Sequence, residues 1–381
     1  MSPTPVTFTT ATAPIGYAWE ATDDEVAARY GIPIEAVARF DLNTSPAPPE
    51  LAIQLLAGGA FGRSISEYPP SDYARLVAAA ADRYGVAPDE VLVGAGADEI
   101  LDLIAKAFLP PGGSAVIPTP SYAMYRVNTE QRGALVRPVP RLGPEAGFAM
   151  DTVAVREAAR GADVVWLCDP NNPTGMSEPD GAIEGLLAAL ADDAREAGAV
   201  PPVVVIDEAY AEFVGRSSIG LRPTYPRLIV IRTASKAYAL AGLRVGFAIT
   251  PPAMIERLAP YRPPGSVSVP SVHIVTEALL DDGILAANLE RVVRERDRLA
   301  GALGTAAWRV LPSVTNFILV DFGTPQRSAL VAEALLRSGL VPRTFGRDHP
   351  LAHCLRLTVR DTRENDRLIA AAQAISLEDH P

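Results

Sequence analysis

The sequence predicts an α/β protein, with a large domain on a mainly parallel sheet and a smaller α+β domain toward the C-terminus. From about residue 70 to 250, short β-rich runs alternate with helical stretches, the pattern of strand–helix–strand units. The runs are continuously apolar rather than alternating, as strands covered on both faces must be. A Pro/Gly-rich stretch, Tyr261-Arg262-Pro263-Pro264-Gly265, then breaks the pattern and marks a boundary. The expected units are an N-terminal arm and small-domain segment over 1–44, the large domain over 45–262 and the small domain over 263–381. Thr22-Asp23-Asp24-Glu25 opens a short helix in the arm. A helix over 72–84, capped by Ser71, precedes the strands Val91–Val93 and Ala115–Ile117. Val164–Leu167 follows, then a helix over 182–197 with leucines at 186, 187 and 190. Val203–Ile206, Leu228–Ile231 and Val245–Ile249 complete the sheet. Beyond the boundary come a charged helix over 283–303, a helix over 329–337, and strands at Phe317–Val320 and Leu355–Val359. The cluster Glu290, Arg291, Arg294, Glu295, Arg296 and Asp297 is read as a solvated face.

Composition excludes several function classes. A net charge of −11 over 381 residues argues against a sequence-independent grip on nucleic-acid phosphates. Two cysteines, Cys168 and Cys354, imply no disulfide framework and a reducing compartment. The four histidines show no zinc-ligand spacing, so no metal is expected. Met1-Ser2-Pro3-Thr4-Pro5 lacks the basic and apolar regions of a signal peptide, and no apolar run is long enough to span a membrane. The expectation is a soluble cytoplasmic protein that engages neither nucleic acid nor membrane.

Only two of the 34 basic residues are lysines, Lys106 and Lys236, so chemistry that needs an amine has two candidates. Lys106 sits inside a helical stretch and reads as a snorkelling surface residue. Lys236, in Arg232-Thr233-Ala234-Ser235-Lys236, follows a strand by a few residues, where open α/β sheets bind ligands; alone it could equally be a surface residue. Asp207 ends the buried run Val203–Ile206, and a buried carboxylate needs a cation or must cap a helix. A lysine and an aspartate on neighbouring runs suit pyridoxal phosphate, whose aldehyde takes the amine and whose ring nitrogen takes the carboxylate. Gly94-Ala95-Gly96-Ala97-Asp98-Glu99 supplies a small-residue turn into a helix, a phosphate cradle or a plain βα turn. It begins like a dinucleotide fingerprint, but Glu99 occupies the third glycine position. Cys168-Asp169-Pro170-Asn171-Asn172-Pro173-Thr174-Gly175 reads by itself as a turn.

In order, however, Asn172-Pro173-Thr174-Gly175, Asp207-Glu208-Ala209-Tyr210, Ser235-Lys236-Ala237-Tyr238 and Gly242-Leu243-Arg244-Val245-Gly246 resemble the motifs of fold-type I, class I/II pyridoxal-phosphate-dependent aminotransferases. The similarity is greatest to the histidinol-phosphate aminotransferase branch and runs from about Tyr68 through Arg360. It implies an aspartate-aminotransferase-like fold. Lys236 would bond the cofactor aldehyde and move protons. Asp207 would face the ring nitrogen, Tyr210 and Asn172 the ring's phenolic oxygen, and Tyr122 would stack on the ring. Ala97, Asp98, Thr233, Ser235 and Arg244 match the phosphate-binding positions. Tyr68 matches a tyrosine that reaches the phosphate across a dimer interface, implying a two-fold homodimer with shared sites. Arg356 resembles the substrate-carboxylate arginine, Arg343 a second arginine at the substrate's anionic end, and Tyr17 is placed with them.

The resemblance implies a ping-pong transfer of an amino group to 2-oxoglutarate, with histidinol phosphate the leading donor. Two segments depart from the branch. Asn43-Thr44-Ser45-Pro46-Ala47-Pro48-Pro49 lacks its acidic and aromatic residues, and Pro263-Pro264-Gly265-Ser266-Val267 lacks a tyrosine. An aminotransferase for aromatic or other amino acids, and a pyridoxal-phosphate-dependent decarboxylase, are the alternatives. A non-catalytic binder of the cofactor is disfavoured, because no central position is degraded.

Overall fold

The computed structural model describes residues 16–375; Met1–Pro5, on which the expectation of no leader rests, lie outside them. In chain order the first elements are α1 (Asp23–Tyr30), β1 (Ala38–Arg39), α2 (Glu50–Gly58), α3 (Ala74–Tyr84), β2 (Val91–Gly94), α4 (Gly96–Phe108), β3 (Ser114–Thr119) and α5 (Ala123–Gln131). Next come β4 (Leu135–Pro140), α6 (Thr152–Ala158), β5 (Val164–Cys168), α7 (Ala182–Glu196), β6 (Val203–Asp207), β7 (Leu228–Thr233), β8 (Gly246–Ile249) and α8 (Pro252–Leu258). The last are α9 (Val269–Leu279), α10 (Asp282–Thr305), β9 (Arg309–Val310), β10 (Phe317–Asp321), α11 (Pro325–Arg337), β11 (Leu340–Val341), β12 (Cys354–Thr358) and α12 (Thr362–Ala374).

Seven strands form the central sheet in the order β2-β8-β7-β6-β5-β3-β4. β7, β6, β5, β3 and β4 run parallel, whereas β8 is antiparallel to both its neighbours. The continuous apolar runs have a direct explanation in the core. Val165, Leu167, Val204, Ile206 and Val230 pack in one layer, and the intervening Trp166, Cys168, Val205, Ile229 and Ile231 in the other. The mainly parallel α/β class is therefore observed. β4 was not expected, because Pro138 and Pro140 interrupt its run; it lies at the sheet edge, where a strand tolerates residues that cannot donate to a ladder. Cys168 and Asp207, the last residues of β5 and β6, pair at the carboxyl edge, and β7 runs two residues further to Thr233.

Close approach at one sheet edge requires glycine. A Cβ on Gly246 of β8 would lie 2.5 Å from the Gly96 carbonyl carbon and 2.6 Å from the Ala97 nitrogen. The first turn of α4 can therefore sit against β8 only because both strand and turn are bare. Gly96 has φ +81°, and its own Cβ would meet the Arg244 guanidinium at 2.5 Å.

A second unit packs Phe40, Trp308, Leu335, Leu357 and Leu368 into its own core. Its sheet has the order β12-β10-β9, and β1 pairs in parallel with β11. The N-terminal segment thus contributes a strand beside the C-terminal elements. Apolar packing crosses the expected boundary at 262/263, because Val267, Ile274, Val275 and Ala278 belong to the large-sheet core; we infer that the division falls within α10.

Two local readings change. α3 begins at Ala74, not after a Ser71 cap: Tyr73 precedes it with φ 50° and no side-chain capping bond. Tyr73 is buried, and its hydroxyl accepts the Val267 N–H at 3.2 Å, so tertiary packing overrides the capping signal. The charged face of α10 is only partly solvated. Glu295 is buried and accepts from Arg298 Nη2 at 2.8 Å, Asn365 Nδ2 at 2.9 Å and Thr362 Oγ1 at 3.0 Å. These partners hold its carboxyl below the usual range against the cost of burial. Arg291 is also half-buried, donating to Asn288, Ser45 and the Arg360 carbonyl. Among the described residues, no helix is long and apolar enough to cross a membrane.

Candidate active site

A cavity of about 610 Å³ opens at the carboxyl edge of the sheet, between the two units. It is lined by Lys236, Asp207, Tyr210, Ala97, Asp98, Tyr122, Asn172, Thr233, Ser235, Arg244, Arg356, Arg343 and Tyr17. Every candidate residue is therefore gathered there except Tyr68, which is 84% exposed and does not line it. Lys106 is elsewhere, paired with Asp102 one helical turn away at 2.5 Å.

Lys236 lies in the turn after β7. Its Nζ has one long contact, 3.5 Å to the Leu42 carbonyl, and stands 5.8 Å from the Tyr210 ring centroid. Burial, with Arg356 and Arg244 adding positive charge, pushes the amine down to about 8; Asp98 and Asp207 oppose this. A neutral amine is the nucleophile and base, so this environment prepares it. With only two lysines, the shift can be read directly. Acylation of the cofactor-free protein at varied pH, followed residue by residue by mass spectrometry, is expected to show Lys236 reactivity rising through a midpoint near 8. Below that pH the amine is protonated and inert. A midpoint near the usual lysine value would contradict the assignment.

Asp207 closes β6. One carboxylate oxygen, Oδ2, accepts the Tyr125 hydroxyl at 2.8 Å, and Oδ1 accepts the Ala209 N–H at 3.0 Å. Burial still lifts the acid to about 6, against those two bonds. Tyr210 is buried beside it, and its phenolic oxygen accepts from Asn43 Nδ2 at 3.0 Å. Burial raises the Tyr210 phenol while Arg356 lowers it. Asn172 Oδ1 accepts Arg356 Nη1 at 2.6 Å, and Arg356 Nη2 reaches the Asp41 carbonyl. The buried Nε of Arg356 has no partner.

At the other end of the cavity, Thr233 Oγ1 donates to Ser235 Oγ at 2.9 Å and accepts the Ser235 N–H at 3.1 Å. Arg244 faces them from a left-handed backbone, φ 53°, with Nη2 3.2 Å from Asp98 Oδ2. Ala97, in the first turn of α4, adds a helix N-terminus, which favours negative charge. Tyr122 donates to Asp98 Oδ1 at 2.9 Å. At the mouth, Arg343 donates to the Ala18 carbonyl at 2.6 Å and lies 3.6 Å from Glu20. Its guanidinium sits 5.1 Å over the Tyr17 ring.

The residues fit pyridoxal phosphate. The bare Gly96–Gly246 cradle, two hydroxyls, a guanidinium and a helix N-terminus converge where a phosphate could sit. A half-buried amine with one weak contact and a buried carboxylate stand farther along. Asp41, Leu42, Asn43, Thr44, Trp19 and Met124 also line the cavity without having been singled out as site residues. Asn43 had a signal, since it opens the segment noted for its departure; Trp19, 74% exposed, had none. Away from the cavity, Asp321, His353 and Cys354 bring potential ligand atoms within 4.8 Å of one another. The Asp321 oxygens are already engaged by Arg309 at 3.0 Å and the Gly323 N–H at 2.7 Å, so the group reads as an ion-paired strand end.

Comparison with known proteins agrees in sequence and in fold. The family described as aminotransferase class I and II matches residues 41–371. Histidinol-phosphate aminotransferase of Roseiflexus castenholzii is 34% identical over 362 residues, 93% of each chain. That of Escherichia fergusonii is 35% identical over 340 residues, 87% of this chain and 90% of the relative. The crystal structure of histidinol-phosphate aminotransferase from Sinorhizobium meliloti in complex with pyridoxal-5'-phosphate superposes with a TM-score of 0.83. It shares 25% identity and covers 97% of this chain and 98% of its own.

Proposed function

Because this chain belongs to the class I and II aminotransferases, and is thus a pyridoxal-phosphate-dependent transaminase, we propose that it moves the amino group of histidinol phosphate to 2-oxoglutarate. The observation that carries the donor is a pair of arginines, Arg343 and Arg356, lining one cavity with the amine of Lys236. Two guanidiniums at the substrate's far end suit a phosphate in one half-reaction and a carboxylate in the other. The curated relatives with about a third of residues identical over most of the chain carry that activity in their names.

When bound, pyridoxal phosphate supplies an aldehyde for the donor amine and a ring that draws electron density from the reacting carbon. Thr233, Ser235, Arg244 and the Ala97 turn would hold its phosphate, and Tyr122 would cover the ring. Asp207 would hold a proton on the ring nitrogen, while Tyr210 and Asn172 would bond its phenolic oxygen. Lys236 Nζ, in its neutral form, takes the proton from the substrate Cα and later returns one to the carbon of the incoming oxo acid. Arg356 and Arg343 orient both substrates through their anionic ends, leaving the reacting carbon at Lys236. Tyr68, exposed in the single chain, would reach the phosphate of a partner's site in a cytoplasmic two-fold dimer.

The test is product analysis. Enzyme, histidinol phosphate and 2-oxoglutarate are expected to give glutamate and the corresponding ketone in equal amounts, with no carbon dioxide. Carbon dioxide released from an amino acid without glutamate would point instead to decarboxylation.

A further inference from the structure

We propose that Tyr125 is a positioning residue for the cofactor's ring nitrogen: its buried hydroxyl holds the Asp207 carboxylate in the orientation and charge state that this nitrogen requires. The inference rests on the reading of Asp207 given above and extends it to a residue outside the four motifs.

The geometry is specific. Tyr125, on α5, is fully buried, and its hydroxyl donates to Asp207 Oδ2 at 2.8 Å. The ring is fixed by a parallel stack on Trp166, with centroids 5.6 Å apart and planes 4° apart. Thr129 ties the two together. Its hydroxyl donates to the Tyr125 carbonyl at 2.7 Å and accepts Trp166 Nε1 at 3.2 Å. The phenol therefore has little freedom to turn away from the carboxylate.

Asp207 needs such a partner. Burial favours its protonated form, and Asp98 adds like charge; the Tyr125 hydroxyl, the Ala209 N–H and Lys236 favour the carboxylate. Cys168 and Tyr210 also face it, and both are pushed up chiefly by burial, so neither adds charge near neutrality. Tyr125 thus supplies the side-chain donor, and a donor to a buried charged acceptor contributes more than one to a neutral group. Phenylalanine at this position would keep the stack and the volume, remove the donor, and let Asp207 protonate or turn.

The experiment compares two ligands on the cofactor-free enzyme: pyridoxal 5'-phosphate, and its carba analogue in which a C–H replaces the ring nitrogen. Tyr125→Phe is expected to weaken pyridoxal phosphate binding about tenfold and to leave the analogue within about twofold. The difference should grow as pH falls toward the Asp207 value, because protonation of the carboxylate removes the acceptor. A merely structural role would weaken both ligands alike; equal loss on both, or loss on neither, overturns the proposal. Asp207→Asn separates the two levels of the argument. If it abolishes the preference for pyridoxal phosphate while Tyr125→Phe does not, only the role of Tyr125 falls. If Asp207→Asn keeps the preference, the reading of Asp207 as partner of the ring nitrogen falls, and this proposal with it.

Discussion

Replacing Lys236 by alanine is expected to lower turnover by at least about 10⁴-fold, the upper end of what a positioned base contributes, with the fold intact. The two halves of that expectation come from the same geometry. Among the described residues, only Lys236 and Lys106 carry a side-chain amine, and Lys106 is committed to Asp102 on the surface of α4. No second amine can take over the Cα proton. The Lys236 amine is half-buried in the cavity wall with one 3.5 Å contact, so its removal relieves an unfavourable charge and breaks no network. Thermal unfolding of the cofactor-free variant should occur at or above the parent temperature. A small primary amine added to the solution should restore part of the lost activity. Turnover within tenfold of the parent would contradict the assignment.

The second large effect is expected at Arg356. Arg356→Lys keeps the charge but loses the planar fork, and should lower kcat/KM by about 10²- to 10³-fold, the cost of truncating a buried charge contact. The loss should appear in both half-reactions, because one guanidinium serves the anionic ends of donor and acceptor. Arg356 also donates to Asn172 Oδ1 at 2.6 Å, so cofactor affinity should fall too, by a smaller factor. Steady-state kinetics with each substrate varied in turn checks this. A loss confined to one substrate would assign Arg343 to the other.

What could be read from the chain followed from how local the signal was. The strands under the site were legible because each is covered on both faces and must be apolar throughout. Asp207 and Lys236 were legible because a carboxylate ending such a strand, and an amine just after the next, are expensive to place there without use. β4 was not, since its prolines hide an edge strand. Glu295 was not, because its burial depends on Asn365 and Thr362, some 70 residues away in sequence. Tyr125 was also silent: a tyrosine near the start of α5 looks like core, and only the fold brings its hydroxyl to Asp207. Asn43 lay in a segment noted for what it lacks, yet its amide bonds the Tyr210 oxygen. The departure at Thr44 changes the wall of the cavity and leaves that amide in place.

The most direct test of the whole reading is a single half-reaction. The purified pyridoxal form would be mixed, without any oxo acid, with histidinol phosphate and separately with aromatic and aliphatic amino acids, and its conversion to the pyridoxamine form followed by absorbance. The account predicts rapid, complete conversion by histidinol phosphate, at least about 10²-fold more efficient than by any of the amino acids, as expected where a site loses charged contacts to the wrong substrate. Conversion by an aromatic or aliphatic amino acid with none by histidinol phosphate would contradict it, and would mean that the reshaped wall at Thr44 has redirected an intact catalytic centre to another donor.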